Sequence, residues 1–257
     1  MIFDVNMYLG SYPFRKISNT TAPELVALMD KFGVDKGCVA TLNGIFYHDV
    51  MDGNYEVLEQ IRGYEDRLVP FAVINPVYAE AKNDLIKCVE ELGFKGIRLH
   101  PKHHFYKLTD PECVDLLKYC GEKKIPVHIP LQIEDLRQAH KLDVNTMVSV
   151  AEIHEAAKLV PEATIILSNA YLHAYAPAMK DVSNVYYDIG RIDNLYQTTF
   201  NMVLNAAGID HIVFGTGAPT NYIGVDLIKL MTLKETNGMS EEDVEKIASG
   251  NLCRILG

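Results

Sequence analysis

Residues 93–101 read GFKGIRLHP, and this stretch indicates how the rest of the chain is built. Gly93 follows an amphipathic segment, as a glycine that ends a helix does. A short apolar run at 96–99 comes next, and its length is typical of a strand that is buried on both faces. Arg98 and His100 alternate with apolar residues here, so we expect both polar side chains on one side of the strand.

The same alternation of short apolar runs and longer amphipathic segments continues along the whole chain. The predicted strands lie at 2–5, 37–41, 68–74, 96–99, 126–129, 164–167, 185–189 and 211–214. The predicted helical segments lie at 23–32, 82–92, from 110 onward, at 145–160, 198–207 and 226–233. About eight strand–helix units with short connections predict an α/β fold with a parallel sheet, closed into a (β/α)8 TIM barrel. Residues 240–257 are expected to form a C-terminal helical cap.

Length and composition agree with a single TIM-barrel domain over residues 1–257. The chain is 48% hydrophobic and 23% charged, and such barrels typically have about 250 residues. The net charge of −10 disfavours nucleic acid, because phosphate backbones are repelled. No apolar run approaches the ~18 residues of a membrane span, and the N-terminus lacks a signal-peptide pattern. Five cysteines without CxxC spacing predict reduced thiols in a cytoplasmic protein.

The active site of a TIM barrel lies at the C-terminal ends of its strands. The first strand continues into DVNMYLG at 4–10, and the eighth into FGTGAP at 214–219. Together with residues 93–101 and the polar ends of the fifth and sixth strands, these segments resemble the amidohydrolase-2 family of the amidohydrolase superfamily. The family motifs are Asp-x-His-x-His-x-Gly, GFKGI[KR]LHP and FG[ST]DxP. The resemblance covers nearly the entire chain and implies a TIM-barrel enzyme.

The resemblance also implies five metal-binding positions, of which four are changed here. Asn6, Tyr8 and Asn169 stand at histidine positions, and Gly217 stands at that of an aspartate. Only His128 matches its family counterpart. A catalytic zinc ion commonly needs three protein ligands, so we expect no cofactor and no metal-bound hydroxide mechanism.

A relocated zinc site is one alternative. His100 and His128 end adjacent predicted strands, and His103 and His104 follow in the next loop. Three imidazoles that meet at one point would suffice for zinc. A pair of loop histidines is, however, more typical of a solvated or substrate-contacting surface.

The predicted catalytic residues are His128, His100 and Arg98. Imidazole titrates near neutral pH and suits a general base, whereas arginine stabilises developing negative charge and binds carboxylates. The structural alternatives are an Arg98 paired with an internal acid and a His128 that is an ordinary core histidine. The predicted substrate-binding residues are Asn6, Tyr8, Arg15, His103, His104, Gln132, Arg137, Asn169, Asp188 and Arg191.

A barrel fold alone does not determine chemistry, so the functional prediction depends on these residues. They predict a hydrolase or lyase-like enzyme that acts on a small polar metabolite with carboxylate or hydroxyl groups. One alternative is a catalytically silent relative that binds a metabolite or a partner protein. Another is a metal-dependent hydrolase that uses the relocated histidines. Because barrels of this kind often associate, a homo-oligomer is a further alternative.

Overall fold

Eight parallel strands follow one another in sequence order around a barrel in the computed structural model. The structure describes residues 1–135, 137, 139–144, 146–169, 171–190 and 197–257, apart from the side chains of Leu172 and Gln197. The strands are β1 (Phe3–Leu9), β2 (Lys36–Thr41), β3 (Leu68–Val73), β4 (Gly96–Arg98), β5 (Val127–Pro130), β6 (Ile165–Ser168), β7 (Val185–Asp188) and β8 (Ile212–Val213). The predicted TIM barrel and its eight strands are therefore confirmed.

Backbone hydrogen bonds between the first and last strands close the barrel. The N–H of Val5 donates to the carbonyl of Phe214 at 2.9 Å, and the N–H of Tyr8 donates to that of Ala218 at 2.8 Å. Because β1 pairs with β2 as far as Leu9, it runs four residues beyond the predicted 2–5. This longer strand carries Asn6 and Tyr8 into the barrel mouth.

Helices surround the barrel and continue past its last strand. They are α1 (Ala22–Phe32), α2 (Val50–Gln60), α3 (Ala81–Ile86), α4 (Pro111–Lys123), α5 (Val150–Leu159), α6 (Leu172–Ala178), α7 (Gln197–Ala207), α8 (Ile223–Asn237), α9 (Glu241–Glu245) and α10 (Asn251–Leu256). Helix α1 begins with a capping box between Thr21 and Glu24 and ends at Gly33, which has φ +70°, as glycine at such an end tolerates. No helix in the described ranges is long and apolar enough to cross a membrane.

Two helices were missing from the sequence prediction. Helix α2 contains Gly53, a weak helix former, which packs against the backbone of Gly44. Helix α6 is short and contains Pro177, a residue that disfavours helix interiors. In both cases, tertiary packing overrides the local preference.

The strands place side chains alternately inside the barrel and under the helices. Ile97, Ile129 and Leu167 pack outward in the larger apolar cluster, whereas Phe71 and Ile166 belong to the inner one. The chain ends at the bottom of the barrel, where the Asn251 side-chain amide donates to the carbonyls of Ile209 and Ile212. The opposite end, where the strands finish, is left for the polar residues.

Candidate active site

Arg98 lies fully buried at the end of β4, inside the barrel. Its Nη2 donates to the carbonyls of Val5, at 3.2 Å, and Cys38, at 3.0 Å. The guanidinium carbon lies 4.4 Å from the ring centroid of Tyr8. Its Nε and Nη1 have no hydrogen-bond partner, and no acid among the described residues forms an ion pair with it. The predicted alternative of an internal acid partner therefore finds no support in the described residues.

His128 follows Arg98 on the neighbouring strand, and the two residues are directly paired in register. Its Nε2 lies 2.6 Å from the Ser168 hydroxyl, while its Nδ1 has no partner. Burial lowers the pKa of His128 well below its usual range, and the positive charge of Arg98 acts in the same direction. At neutral pH this imidazole is therefore neutral and keeps one lone pair.

His100 lies just beyond β4 and is 1% exposed. Neither ring nitrogen has a hydrogen-bond partner in the part of the chain that the structure describes. Burial lowers its pKa well below the usual range, and the charges of His103, His104 and Arg98 lower it further. His100 is thus a second neutral imidazole beside the guanidinium.

Side chains with hydrogen-bond acceptors lie at the ends of β5, β6 and β7 or just beyond them. Asp188 accepts from the backbone N–H groups of Asn169 and Gly190 through Oδ1, and its Oδ2 has no partner. Asn169 has φ +56°, and its side-chain amide donates to the carbonyl of Gln132. Gln132 in turn donates to the carbonyl of Asn169. These bonds hold two amides beside the carboxylate, each with an unpaired carbonyl oxygen.

Most of these polar groups share one unusual property: they are buried and carry an atom with no hydrogen-bond partner among the described residues. Buried polar atoms are nearly always hydrogen-bonded, and each exception needs a reason. At the strand ends the unpaired atoms belong to Asn6, Tyr8, Arg98, His100, His128, Gln132, Asn169 and Asp188. Eight such residues from the strands and their loops indicate a ligand or water site. We refer to them as the polar cluster.

Asp4 is not part of the polar cluster, because both of its carboxylate oxygens accept hydrogen bonds that stabilise the barrel. Its carboxylate accepts from the Asn6 N–H at 2.8 Å, from the Thr216 N–H at 3.1 Å and from the Thr216 hydroxyl at 2.6 Å. It thus joins β1 to the segment after β8. Burial raises the pKa of Asp4 to about 7, although these hydrogen bonds oppose the change.

The buried Asp4 gives a testable pH dependence. Its folded-state pKa of about 7 exceeds the unfolded value near 3.9. The folded protein therefore binds more protons between these values, and its free energy of unfolding falls as the pH rises. We expect wild type to lose a few kcal/mol relative to Asp4→Asn between about pH 4 and pH 7, at about 1.4 kcal/mol per pKa unit. Denaturant unfolding at both pH values measures this, and parallel pH profiles would contradict it.

An aromatic group lies in the loops that follow the strands at the barrel mouth. We call it the mouth cluster; its members come from the loops after β1, β2, β4 and β5 and are Tyr12, Phe14, Phe46, His103 and His140. Ring centroids within it lie 5.5 to 6.1 Å apart. Asp143 joins two of the loops, because it accepts from the Tyr12 hydroxyl and lies 3.4 Å from His103 Nε2.

Two loop residues with predicted roles complete this layer. Arg15 forms an ion pair with the buried Glu134 at 2.5 Å and donates to the carbonyl of Thr220 at 2.9 Å. His104 Nε2 lies 2.9 Å from the carbonyl of Ile45. Both residues therefore hold loops together at the mouth.

The structure separates one predicted residue from the others. The Arg137 side chain is 88% exposed and bonds the carboxylate of Asp135, so it is not brought to the polar cluster. Arg191 lies outside the described residues. Sequence reasoning did not single out Ser168 and Asp143, which contact the predicted site residues His128 and His103. Ser168 was detectable, since it shares the inward side of β6 at a strand end; Asp143 carried no signal in its loop.

The family's metal-binding positions form no ligand set here. Among the residues that the structure describes, no three His, Cys, Asp or Glu side chains meet as metal ligands, so the relocated zinc site gains no support. The Arg98 guanidinium next to His128 also disfavours a second cation. At the aspartate position, Gly217 has φ +76°, and a Cβ there would lie 2.5 Å from Asn221 Nδ2. The present residues therefore do not fit the family's usual metal.

Substitution of Gly217 by alanine should destabilise the fold in two ways, through left-handed backbone strain and through a steric clash. Comparison with Gly33 separates the two free-energy costs. Gly33 has a similar φ of +70°, but no other atom lies within 4 Å of the place that a Cβ would take there. We expect Gly33→Ala to cost about 1 kcal/mol from left-handed backbone strain, and Gly217→Ala to cost clearly more because of Asn221. Adding Asn221→Ala should recover the excess. Thermal and denaturant unfolding of the three variants measure these costs, and equal losses at the two glycines would show that Asn221 does not fill the position.

Comparisons with known proteins agree with the fold. The profile of the protein family described as Amidohydrolase matches residues 8–257. Similar solved structures include 2,6-dihydroxybenzoate decarboxylase from Rhizobium (15% identity, 99% of this chain and 97% of that one, TM-score 0.70) and dihydroxybenzoic acid decarboxylase from Polaromonas sp. with bound manganese and 2-nitroresorcinol (15%, 99% and 96%, 0.74). A third is 4-oxalomesaconate hydratase from Rhodopseudomonas palustris (17%, 100% and 95%, 0.69). No curated protein sequence matches the chain.

Proposed function

Because the chain belongs to the amidohydrolase family, we propose that it is a lyase-like or hydrolase enzyme for a small metabolite that carries a carboxylate and hydroxyl groups. We further propose that it works without the family's usual divalent metal. The observation that carries the proposal is the polar cluster, whose buried atoms have no hydrogen-bond partner among the residues that the structure describes. Such atoms are costly unless a ligand or water satisfies them.

The unpaired atoms are arranged by chemical type. Arg98 supplies donors and a positive charge from β4. Asp188, Asn169 and Gln132 supply acceptors from β7 and from the loops after β6 and β5. A ligand with an anionic oxygen at one end and hydroxyl groups at the other would satisfy both sides. A carboxylate would also neutralise the buried guanidinium.

The same arrangement supports proton-transfer chemistry. Arg98 would stabilise negative charge that develops on a substrate oxygen, since a fixed donor in a dry site acts strongly on such charge. His128 and His100 are neutral bases next to it, so either can accept a proton and return it. Loss of carbon dioxide, addition of water to a double bond, and lactone opening all need charge stabilisation and proton transfer. The names of the decarboxylases and the hydratase support the lyase-like choice.

A matched pair of compounds tests the ligand class. We expect 2,6-dihydroxybenzoate to raise the melting temperature and resorcinol, which lacks the carboxylate, to raise it much less. Turnover is then followed as loss of the substrate's ultraviolet absorbance, before and after exhaustive chelation. Turnover that survives chelation supports the proposal, whereas turnover that returns only with added metal overturns its metal-free part. If neither 2,6-dihydroxybenzoate nor a wider panel of hydroxycarboxylates binds, the proposed ligand class is wrong. Binding without turnover would instead identify a catalytically silent metabolite-binding relative.

A further inference from the structure

The hydroxyl of Tyr8 is a proton donor within the polar cluster. Tyr8 lies near the end of β1, and its side chain belongs to the inner apolar cluster of the barrel. The residue is fully buried, and its hydroxyl has no hydrogen-bond partner among the described residues. The Arg98 guanidinium carbon lies 4.4 Å from the ring centroid. A fixed positive charge therefore lies against a phenol whose proton is free to bond a ligand.

The other members of the polar cluster are poor sources of a proton at neutral pH. Arg98 does not lose its proton in proteins, and the side-chain amides of the cluster donate hydrogen bonds without acting as acids. Burial lowers the pKa values of His100 and His128 well below their usual range, so both are neutral bases. Burial raises the pKa of Asp188 to about 6, so its carboxylate is mainly ionised. Burial also raises the pKa of Tyr8, against the charge of Arg98, and this hydroxyl is therefore protonated.

We propose that Tyr8 is the general acid of the polar cluster and delivers a proton to the substrate, while His128 or His100 acts as the base. The inference rests on the proposed function, because it needs a lyase-like or hydrolytic reaction at this site. Each such reaction delivers one proton to the substrate. The proton goes to carbon when carbon dioxide is lost or water is added to a double bond, and to the leaving oxygen when a lactone opens. A positioned group that is protonated at neutral pH and can still release its proton meets this need.

The step balances for a hydroxybenzoate. The bond between the ring carbon and the carboxylate breaks, and carbon dioxide leaves. The electron pair of that bond stays with the ring, whose carbon forms a new bond to the hydroxyl proton of Tyr8. Tyr8 is then a phenolate that the charge of Arg98 stabilises, and it regains its proton from water, which becomes hydroxide. His128 holds the proton of a substrate hydroxyl during this step and returns it afterwards, so the balance is unchanged.

Tyr8→Phe removes the proton and keeps the ring against Arg98. We expect kcat for 2,6-dihydroxybenzoate to fall by ~10²- to 10⁴-fold, as for the loss of a general acid. KM, and the rise in melting temperature that the ligand causes, should change little, because the ring carbon that receives the proton accepts no hydrogen bond before the reaction. The melting temperature of the free protein should not fall, since the variant removes a buried hydroxyl that has no partner among the described residues.

Tyr106 provides the matched control. Its hydroxyl is also buried and has no hydrogen-bond partner in the described ranges, but its side chain packs in the larger apolar cluster. Tyr106→Phe makes the same chemical change, so it should have a similar effect on the melting temperature and leave kcat unchanged. An equal fall of kcat in both variants would show that loss of a buried hydroxyl acts through the fold, and would overturn the acid role.

Carbon NMR gives a measurement that needs no substrate. Tyrosine labelled with carbon-13 at Cζ distinguishes phenol from phenolate, and the Tyr8 signal is identified by its absence in Tyr8→Phe. On chelator-treated full-length protein at pH 7 we expect a phenol. A phenolate would overturn the inference, because the group would have no proton to give.

Kinetics on the same preparation separates this inference from the proposed function. If wild type is active and Tyr8→Phe keeps full kcat, or loses only in KM, Tyr8 is not the acid and the proposed function stands. If wild type turns over neither 2,6-dihydroxybenzoate nor any other hydroxycarboxylate of the panel, the proposed function is wrong, and the acid role is wrong with it. A fall in kcat that is confined to Tyr8→Phe, together with a phenol signal at pH 7, supports the acid role.

Discussion

Replacement of Arg98 by methionine is expected to lower kcat/KM for a carboxylate substrate by ~10²- to 10³-fold, as the loss of a fixed donor to developing charge does. The melting temperature should not fall, and this second expectation makes the test specific. Arg98 is a fully buried cation, and its hydrogen bonds among the described residues are to the backbone carbonyls of Val5 and Cys38. An apolar side chain of similar volume in place of a buried charge is often neutral or stabilising. Steady-state kinetics and thermal unfolding of the same preparation measure both effects.

Arg67 provides the matched control. It also bonds backbone carbonyls, at 2.6 Å for Asp35 and 3.1 Å for Val34, but it lies at the opposite end of the barrel and pairs with Asp30. Arg67→Met should therefore lower stability by about 1–2 kcal/mol and leave kcat/KM unchanged. If Arg98→Met behaves like Arg67→Met, Arg98 is a structural residue and the proposed site loses its cation.

His128→Gln is expected to lower kcat by ~10²- to 10⁴-fold with a small change in KM, which is the usual contribution of a general base. His100→Gln should have a smaller effect, because no neighbour fixes either of its ring nitrogens. Both imidazoles have pKa values far below neutrality, so neither titrates near pH 7. Activity should instead fall as the pH drops below about 6, where Asp188 gains a proton and can no longer act only as an acceptor. A pH–rate profile of wild type tests this, and full turnover in both histidine variants would show that the base lies elsewhere.

The sequence was most informative where one physical rule applies along a short segment. Strands buried on both faces must be apolar, so all eight could be located. Because parallel strands end at the same side of a barrel, Arg98, His100, His128, Asn169 and Asp188 could be expected to meet, and the structure brings them together.

Other features depend on contacts that no local pattern encodes. Tyr12 and Asp143 are 131 residues apart and belong to different loops. The same holds for Gly217: its sequence position suggests a lost metal ligand, but only the structure shows that Asn221 fills the space. Arg137 has the residue type expected of a carboxylate-binding loop residue, yet its side chain extends into solvent. Side-chain direction in a long loop is set by tertiary packing, which a composition argument does not include.

The mouth cluster has a kinetic consequence. Asp143 holds Tyr12 and His103 from two different loops. A ligand that passes between these loops has to wait until these contacts break. For such a ligand, the observed association rate should stop rising at high ligand concentration and reach a plateau equal to the rate of loop opening. The same opening step would limit turnover for a product that leaves between the same loops.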